Sequence, residues 1–172
     1  ELFVCGTLVS AGEEAARMGA DIPDNWVALM YGRIFEVLAD EVELIPGVVD
    51  VIERLDVLGI PMAVGSNGPV AKMEVTLGKT GLWDRLGPVA YSVHDFPAPK
   101  PAPDVYLLAA KQAGVAPKDC VVIEDSASGA KAGMAAGMRV FGFTADTAPE
   151  KLAPFVVELF ADMTDLPGLL EI

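Results

Sequence analysis

Four short apolar runs, each separated from the next by a segment of helical periodicity, constrain this chain more than any other feature. They cover residues 60–64, 89–93, 121–123 and 139–143. None alternates apolar with polar residues, which is the pattern of strands covered on both faces. A first apolar run covers residues 2–5, and residues 156–160 offer a last short one. Helical segments lie between them. Val48, Ile52, Leu55 and Leu58 share one face, with Gly59 as a stop. Residues 69–81, 103–113 and 127–136 are also helical in pattern, the second with a proline at its start, Asp104 in its first turn and Gly114 past its end. Strand–helix alternation of this kind implies an α/β chain with a parallel sheet between two helical layers, a three-layer sandwich.

Residues 10–43 read differently. Residues 10–20 are small and polar and form a weak helix. Asp24 can cap a second helix, in which Trp26, Met30, Ile34, Val37 and Val42 make one apolar face. Pro46-Gly47 ends that pattern.

In parallel α/β sheets, ligands bind at the carboxyl ends of the strands, and here those ends carry polar or glycine-rich groups. They are Gly6-Thr7, Ser66-Asn67-Gly68, Lys100 inside Pro99-Lys100-Pro101, and Glu124-Asp125-Ser126. Adjacent carboxylates after an apolar strand are costly when buried alone, and a hard dication such as magnesium relieves that cost. The bland reading is a solvated strand end, or a helix cap by Asp125 or Ser126. Ser66 and Asn67 offer a hydroxyl, an amide and backbone N–H groups that suit phosphate oxygens, although Ser-Asn-Gly is also common turn chemistry. Lys100, flanked by prolines, is a point charge on a stiffened loop.

The formal net charge of −13 disfavours nucleic acid and anionic membrane as partners. No apolar run reaches transmembrane length. Cys5 and Cys120 sit in or beside apolar runs and read as buried free thiols of a reducing compartment, so the cytoplasm is the expected location. His94, the only histidine, reads as a loop residue. Gly129, Gly133 and Gly137 recur every fourth residue, consistent with close packing of a helix on the sheet.

Taken in chain order, Gly-Thr, Ser-Asn, Lys-Pro-Ala-Pro-Asp and Glu-Asp-Ser resemble the haloacid dehalogenase superfamily, within it the phosphatase and β-phosphoglucomutase-like branch. The resemblance runs from about Leu44 to the C-terminus and includes Ile45-Pro46-Gly47-Val48 and Ser128-Gly129. It implies a Rossmann-like core of residues 1–10 and 44–172, with residues 11–43 as a small helical cap inserted after the first strand. It implies Ser66, Asn67, Gly68, Gly6 and Thr7 around a phosphate, Lys100 neutralising phosphate and nucleophile together, and Glu124 and Asp125 holding magnesium. The expected activity is hydrolysis of a small phosphomonoester, such as a sugar phosphate, through an aspartyl phosphate. Phosphoryl transfer between sugar positions is an alternative. A 2-haloacid dehalogenase needs no metal and would leave Glu124-Asp125 idle. A receiver-type signalling domain would carry its acidic pair near the first strand. A dinucleotide enzyme would show G-x-G-x-x-G there, and none follows residues 2–5.

The departure is at the first motif. The family pattern is Asp-x-Asp-Gly-Thr, and this chain reads Val4-Cys5-Gly6-Thr7. Aspartates placed before and after Cys5, and one between Val9 and Ser10, would restore the pattern. As it stands, this segment supplies no nucleophile, and the literal alternative is a phosphate-binding relic.

Overall fold

The computed structural model describes residues 7–172. The strand expected at residues 2–5, and Gly6 with it, lie outside the described residues. The elements form parallel ladders with helices on both faces. In chain order they are α1 (Leu8–Arg17), α2 (Trp26–Glu41), α3 (Val48–Val57), β1 (Val64–Ser66), α4 (Val70–Lys79), α5 (Trp83–Leu86), β2 (Ala90–Ser92), α6 (Asp104–Ala113), β3 (Val121–Glu124), α7 (Ala127–Ala135), β4 (Arg139–Phe143), α8 (Pro149–Leu152), β5 (Glu158–Phe160) and α9 (Leu166–Leu169).

Among the described residues the strands form two groups, β1 with β2 and β3–β4–β5, and every pairing is parallel. Register pairs Val64 with Ala90 and Val121 with Arg139. Successive side chains of β3 and β4 enter opposite cores, as the pleat requires. Val122 and Val140 join Val105, Tyr106, Ala130 and Leu152 on one side. Phe141 and Phe143 join Val51, Phe160, Met163 and Leu166 on the other. Each Val, Leu, Ile, Phe or Met side chain among them, once buried, contributes about 1.5–3 kcal/mol. The expected three-layer α/β arrangement is therefore present. Gly133 lets α7 lie directly on the sheet, because a Cβ there would meet Val140 Cγ2 at 2.8 Å.

Several local expectations change. Among the described residues the run at 60–64 forms a ladder only from Val64, because β2 begins at Ala90, opposite Val64; the preceding 87–89 form a 3-10 turn. α2 starts after Asn25, with no side-chain cap, so Asp24 does not cap it. Its inward face is Trp26, Met30, Ile34 and Leu38, whereas Val37 is exposed and Val42 stands past the helix end. α1 packs on α2, and α2 packs on α4. Cys120 is free but only half-buried, since it precedes β3 at the edge of the core. Its Sγ donates to the Ala116 carbonyl at 3.4 Å. His94 is exposed in a short 3-10 turn, as a loop residue should be. Among the described residues no helix is long and apolar enough to cross a membrane.

Candidate active site

The carboxyl ends of β1 and β3 meet through one side chain. Lys100 lies in the loop before α6 and is buried, as is Glu124 at the end of β3. Lys100 Nζ donates to the Gly65 carbonyl on β1 at 2.9 Å, to Tyr106 Oη at 2.7 Å and to Glu124 Oε1 at 2.5 Å. An ammonium has three N–H groups, and these contacts use all three. Lys100 thus ties together two strand groups that share no ladder.

The loop is fixed from both ends. Asn67 Oδ1 accepts from the Lys100 backbone N–H at 3.2 Å, which joins the Lys100 loop to the end of β1. Ser66 Oγ accepts from the Gly68 N–H at 3.0 Å, closing a tight turn. Buried Ser92, at the end of β2, donates through Oγ to the Gly68 carbonyl at 2.9 Å. Ser66, Asn67, Gly68 and Lys100 are therefore brought to one place. Ser92 carries no signal in the sequence, since a serine closing an apolar run looks like an ordinary strand end.

Glu124 is saturated. Its Oε1 accepts from Lys100 and from Tyr106 Oη, and its Oε2 from Ser126 Oγ at 2.8 Å and Ser126 N–H at 3.2 Å. Burial pushes its carboxyl up, but the Lys100 charge and the bonds from Lys100, Tyr106 and Ser126 outweigh this, so the net shift is downward. Ser126 also caps α7 by accepting from the Gly129 N–H at 3.1 Å. This segment is thus a helix cap and a carboxylate site at once. Gly129 leaves the room for this. A Cβ there would meet Glu124 Oε1 at 1.9 Å.

Asp125 differs from its neighbour. It is exposed, and no side chain donates to it among the described hydrogen bonds. Partial desolvation raises its pKa, and the charges of Glu124 and Asp146 raise it further. A cation would remove that penalty. Magnesium is commonly held by one or two carboxylates, with water and phosphate oxygens completing its shell. The hard oxygen donors here fit that requirement, with Asp125 the exposed carboxylate and Glu124 mostly committed to Lys100, Tyr106 and Ser126. Among the described residues no group of three His, Cys, Asp or Glu side chains converges to form a ready-made metal cage.

Thr7 sits elsewhere in the hydrogen-bond network. It is the N-cap of α1, where its Oγ1 accepts from the Ser10 N–H at 3.2 Å and the Ser10 hydroxyl donates to its carbonyl at 2.8 Å. Its bonds close a capping box and do not reach Lys100 or Ser66. Tyr106 is the site residue that the sequence pattern conceals. It sits inside an amphipathic helix, where an aromatic reads as core; its hydroxyl is what makes it more than that.

A parallel α/β core with a lysine and paired carboxylates at its strand ends is the arrangement that the family resemblance implies. The haloacid dehalogenase-like hydrolase pattern matches residues 10–137, and this chain belongs to that family. Among curated relatives it is 35% identical over 115 residues to 6-phosphogluconate phosphatase of Escherichia coli K12, covering 67% of this chain and 52% of that protein. It is 41% identical over 102 residues to fructose-1-phosphate phosphatase YqaB of the same organism, covering 59% of this chain and 53% of the relative. A solved structure of a HAD family hydrolase from Deinococcus radiodurans R1, with bound phosphate and sodium, superposes with a TM-score of 0.79 at 26% identity, covering 98% of this chain and 77% of that one. The chain spans about half the length of these two curated relatives.

Proposed function

We propose that this chain forms much of the catalytic core of a phosphatase that hydrolyses a small phosphorylated metabolite, with a sugar phosphate as the leading substrate class. The observation that carries the reading is the buried Lys100 ammonium, held at the ends of β1 and β3 beside the Ser66-Asn67-Gly68 turn. A fixed cation next to hydroxyl and amide groups is what a phosphoryl group needs at its non-reacting oxygens. The relatives named as 6-phosphogluconate and fructose-1-phosphate phosphatases support the same class.

The residues divide the work. Ser66 and the backbone N–H groups around it face a phosphate oxygen. Asn67 holds the Lys100 loop in register with β1. Lys100 carries the positive charge, and Glu124 with Tyr106 keeps that charge in place. Magnesium would be held by Asp125, with Glu124 beside it, and would supply further neutralisation of phosphate charge. Gly6 and Thr7 are assigned to phosphate by the family resemblance alone. Helices α1 and α2 are read as part of a cap that shapes substrate choice.

The covalent step through an aspartyl phosphate needs a carboxylate that the strand ends among the described residues do not provide. Glu124 is committed to Lys100 and Ser126, and Asp125 is read as the cation site. β1 and β3 each have only one strand partner among the described residues, and Lys100 bonds to both.

The experiment is phosphate release by the purified protein from a panel of sugar phosphates and other small phosphomonoesters, with magnesium and with a chelator. Release from one or a few sugar phosphates, lost on chelation, is expected. Turnover of a 2-haloacid without metal, and of no phosphomonoester, would overturn the reading.

A further inference from the structure

Tyr106 lies six residues beyond Lys100, on the first turn of α6, and is buried. Its hydroxyl accepts from Lys100 Nζ at 2.7 Å and donates to Glu124 Oε1, the same oxygen that Lys100 holds at 2.5 Å. Its ring lies against the ammonium, with Nζ 4.6 Å from the ring centroid. The three polar atoms form a closed triangle. The ring reaches this position because β1 has glycine at 65. A Cβ there would meet Tyr106 Cε1 at 3.1 Å.

We propose that Tyr106 is a positioning residue of this site, acting on the Lys100 ammonium. This rests on the phosphatase reading for its consequence in catalysis, but not for the geometry itself. An ion pair alone fixes distance and not direction: a lysine ammonium on four methylenes can swing about a carboxylate oxygen. The tyrosine hydroxyl restricts that freedom together with the Gly65 carbonyl. It occupies one of the three ammonium hydrogens and shares the carboxylate oxygen, so a swing of Lys100 away from this place would break all three bonds at once. The result is a cation whose place is set before substrate arrives, the condition under which electrostatic stabilisation acts on a transferring phosphoryl group.

Tyr106→Phe keeps the ring, its volume and its contact with the ammonium, and deletes only the hydroxyl. The Lys100–Glu124 pair and the bond to the Gly65 carbonyl remain, so attraction for a bound phosphate persists while one of the three contacts that fix the ammonium is lost. The expected kinetic result is a kcat lower by about tenfold with KM within about twofold, the size of one lost hydrogen bond to a charged group. A merely structural tyrosine would change thermal stability and leave both constants alone.

A second readout is independent of turnover. In the wild type, the Lys100 15Nζ signal should be visible by NMR as a slowly exchanging ammonium, with a nuclear Overhauser contact to the Tyr106 hydroxyl proton. In Tyr106→Phe the ammonium signal should broaden or vanish through faster exchange. If the wild type hydrolyses no phosphomonoester but the NMR change occurs, the phosphatase reading fails and the positioning role stands. If the Lys100 signal is unchanged by Tyr106→Phe, or the wild type shows no contact between hydroxyl and ammonium, the proposal is overturned. The wild-type contact decides the matter even if the variant does not fold.

Discussion

Replacing Lys100 by methionine strands a carboxylate. The methionine fills most of the same channel, so the principal loss is charge. Glu124 is buried and loses the ammonium 2.5 Å from its Oε1. Removing one partner of a buried ion pair typically costs about 3–5 kcal/mol. Two features of this site lower the figure. Glu124 keeps bonds from Tyr106, Ser126 Oγ and the Ser126 N–H. It can also escape by taking a proton, which for a carboxyl of ordinary pKa costs roughly 3.7 kcal/mol at about pH 7 and sets a ceiling. The expected destabilisation of Lys100→Met is therefore about 3 kcal/mol at neutral pH. It should shrink to below about 1 kcal/mol near pH 4.5, where protonation becomes cheap. Urea unfolding followed by the fluorescence of Trp26 and Trp83 reads this directly. The double variant Lys100→Met/Glu124→Gln should be more stable than the single one, because no charge is left without a partner. A loss below about 1 kcal/mol at neutral pH, or a double variant no more stable than Lys100→Met, would mean that the pair is not buried and coupled.

Three further outcomes follow from the same geometry. Gly129→Ala places a Cβ 1.9 Å from Glu124 Oε1, so the carboxylate must move off Lys100; stability should fall by about 2–3 kcal/mol in urea, and phosphate release should fall with it. Glu124 has a folded pKa below its ordinary value, so its contribution is full above the ordinary carboxylate range and is lost as pH falls through the folded value; acid titration should show stability level from neutral to about pH 5 and declining below about pH 4, with that part of the slope absent in Glu124→Gln. Asp125 has a raised folded pKa, so its charge opposes folding at neutral pH; Asp125→Asn should unfold at a higher urea concentration than wild type without metal, while losing its response to magnesium.

Much of this fold is legible in the sequence because the runs 121–123 and 139–143 are apolar on both faces and bounded by turn residues. The helix at 104–113 is legible from its proline start and its Gly114 stop. The start of β1 is not, because pairing depends on where the neighbouring strand begins, and among the described residues β2 begins only at Ala90, after a 3-10 turn at 87–89. The cap at α2 fails for a local reason: the helix starts two residues after Asp24. At the site, Lys100 and Glu124 stand out as charges beside prolines and an apolar strand. Tyr106, Ser92 and Gly129 do not, since their roles arise from what lies across the sheet and not from their neighbours in the chain. The sequence also shows two adjacent carboxylates as equals. Only the fold separates them, with Glu124 turned inward to Lys100 and Ser126, and Asp125 turned outward.

Handling of a phosphoryl group at this site runs through Lys100. Phosphate release from the same panel of sugar phosphates by wild type and Lys100→Met, purified side by side with magnesium, tests this. Release by the wild type and a loss of at least about a hundredfold in the variant are expected, at a temperature where both remain folded. Equal release by the two proteins would contradict it.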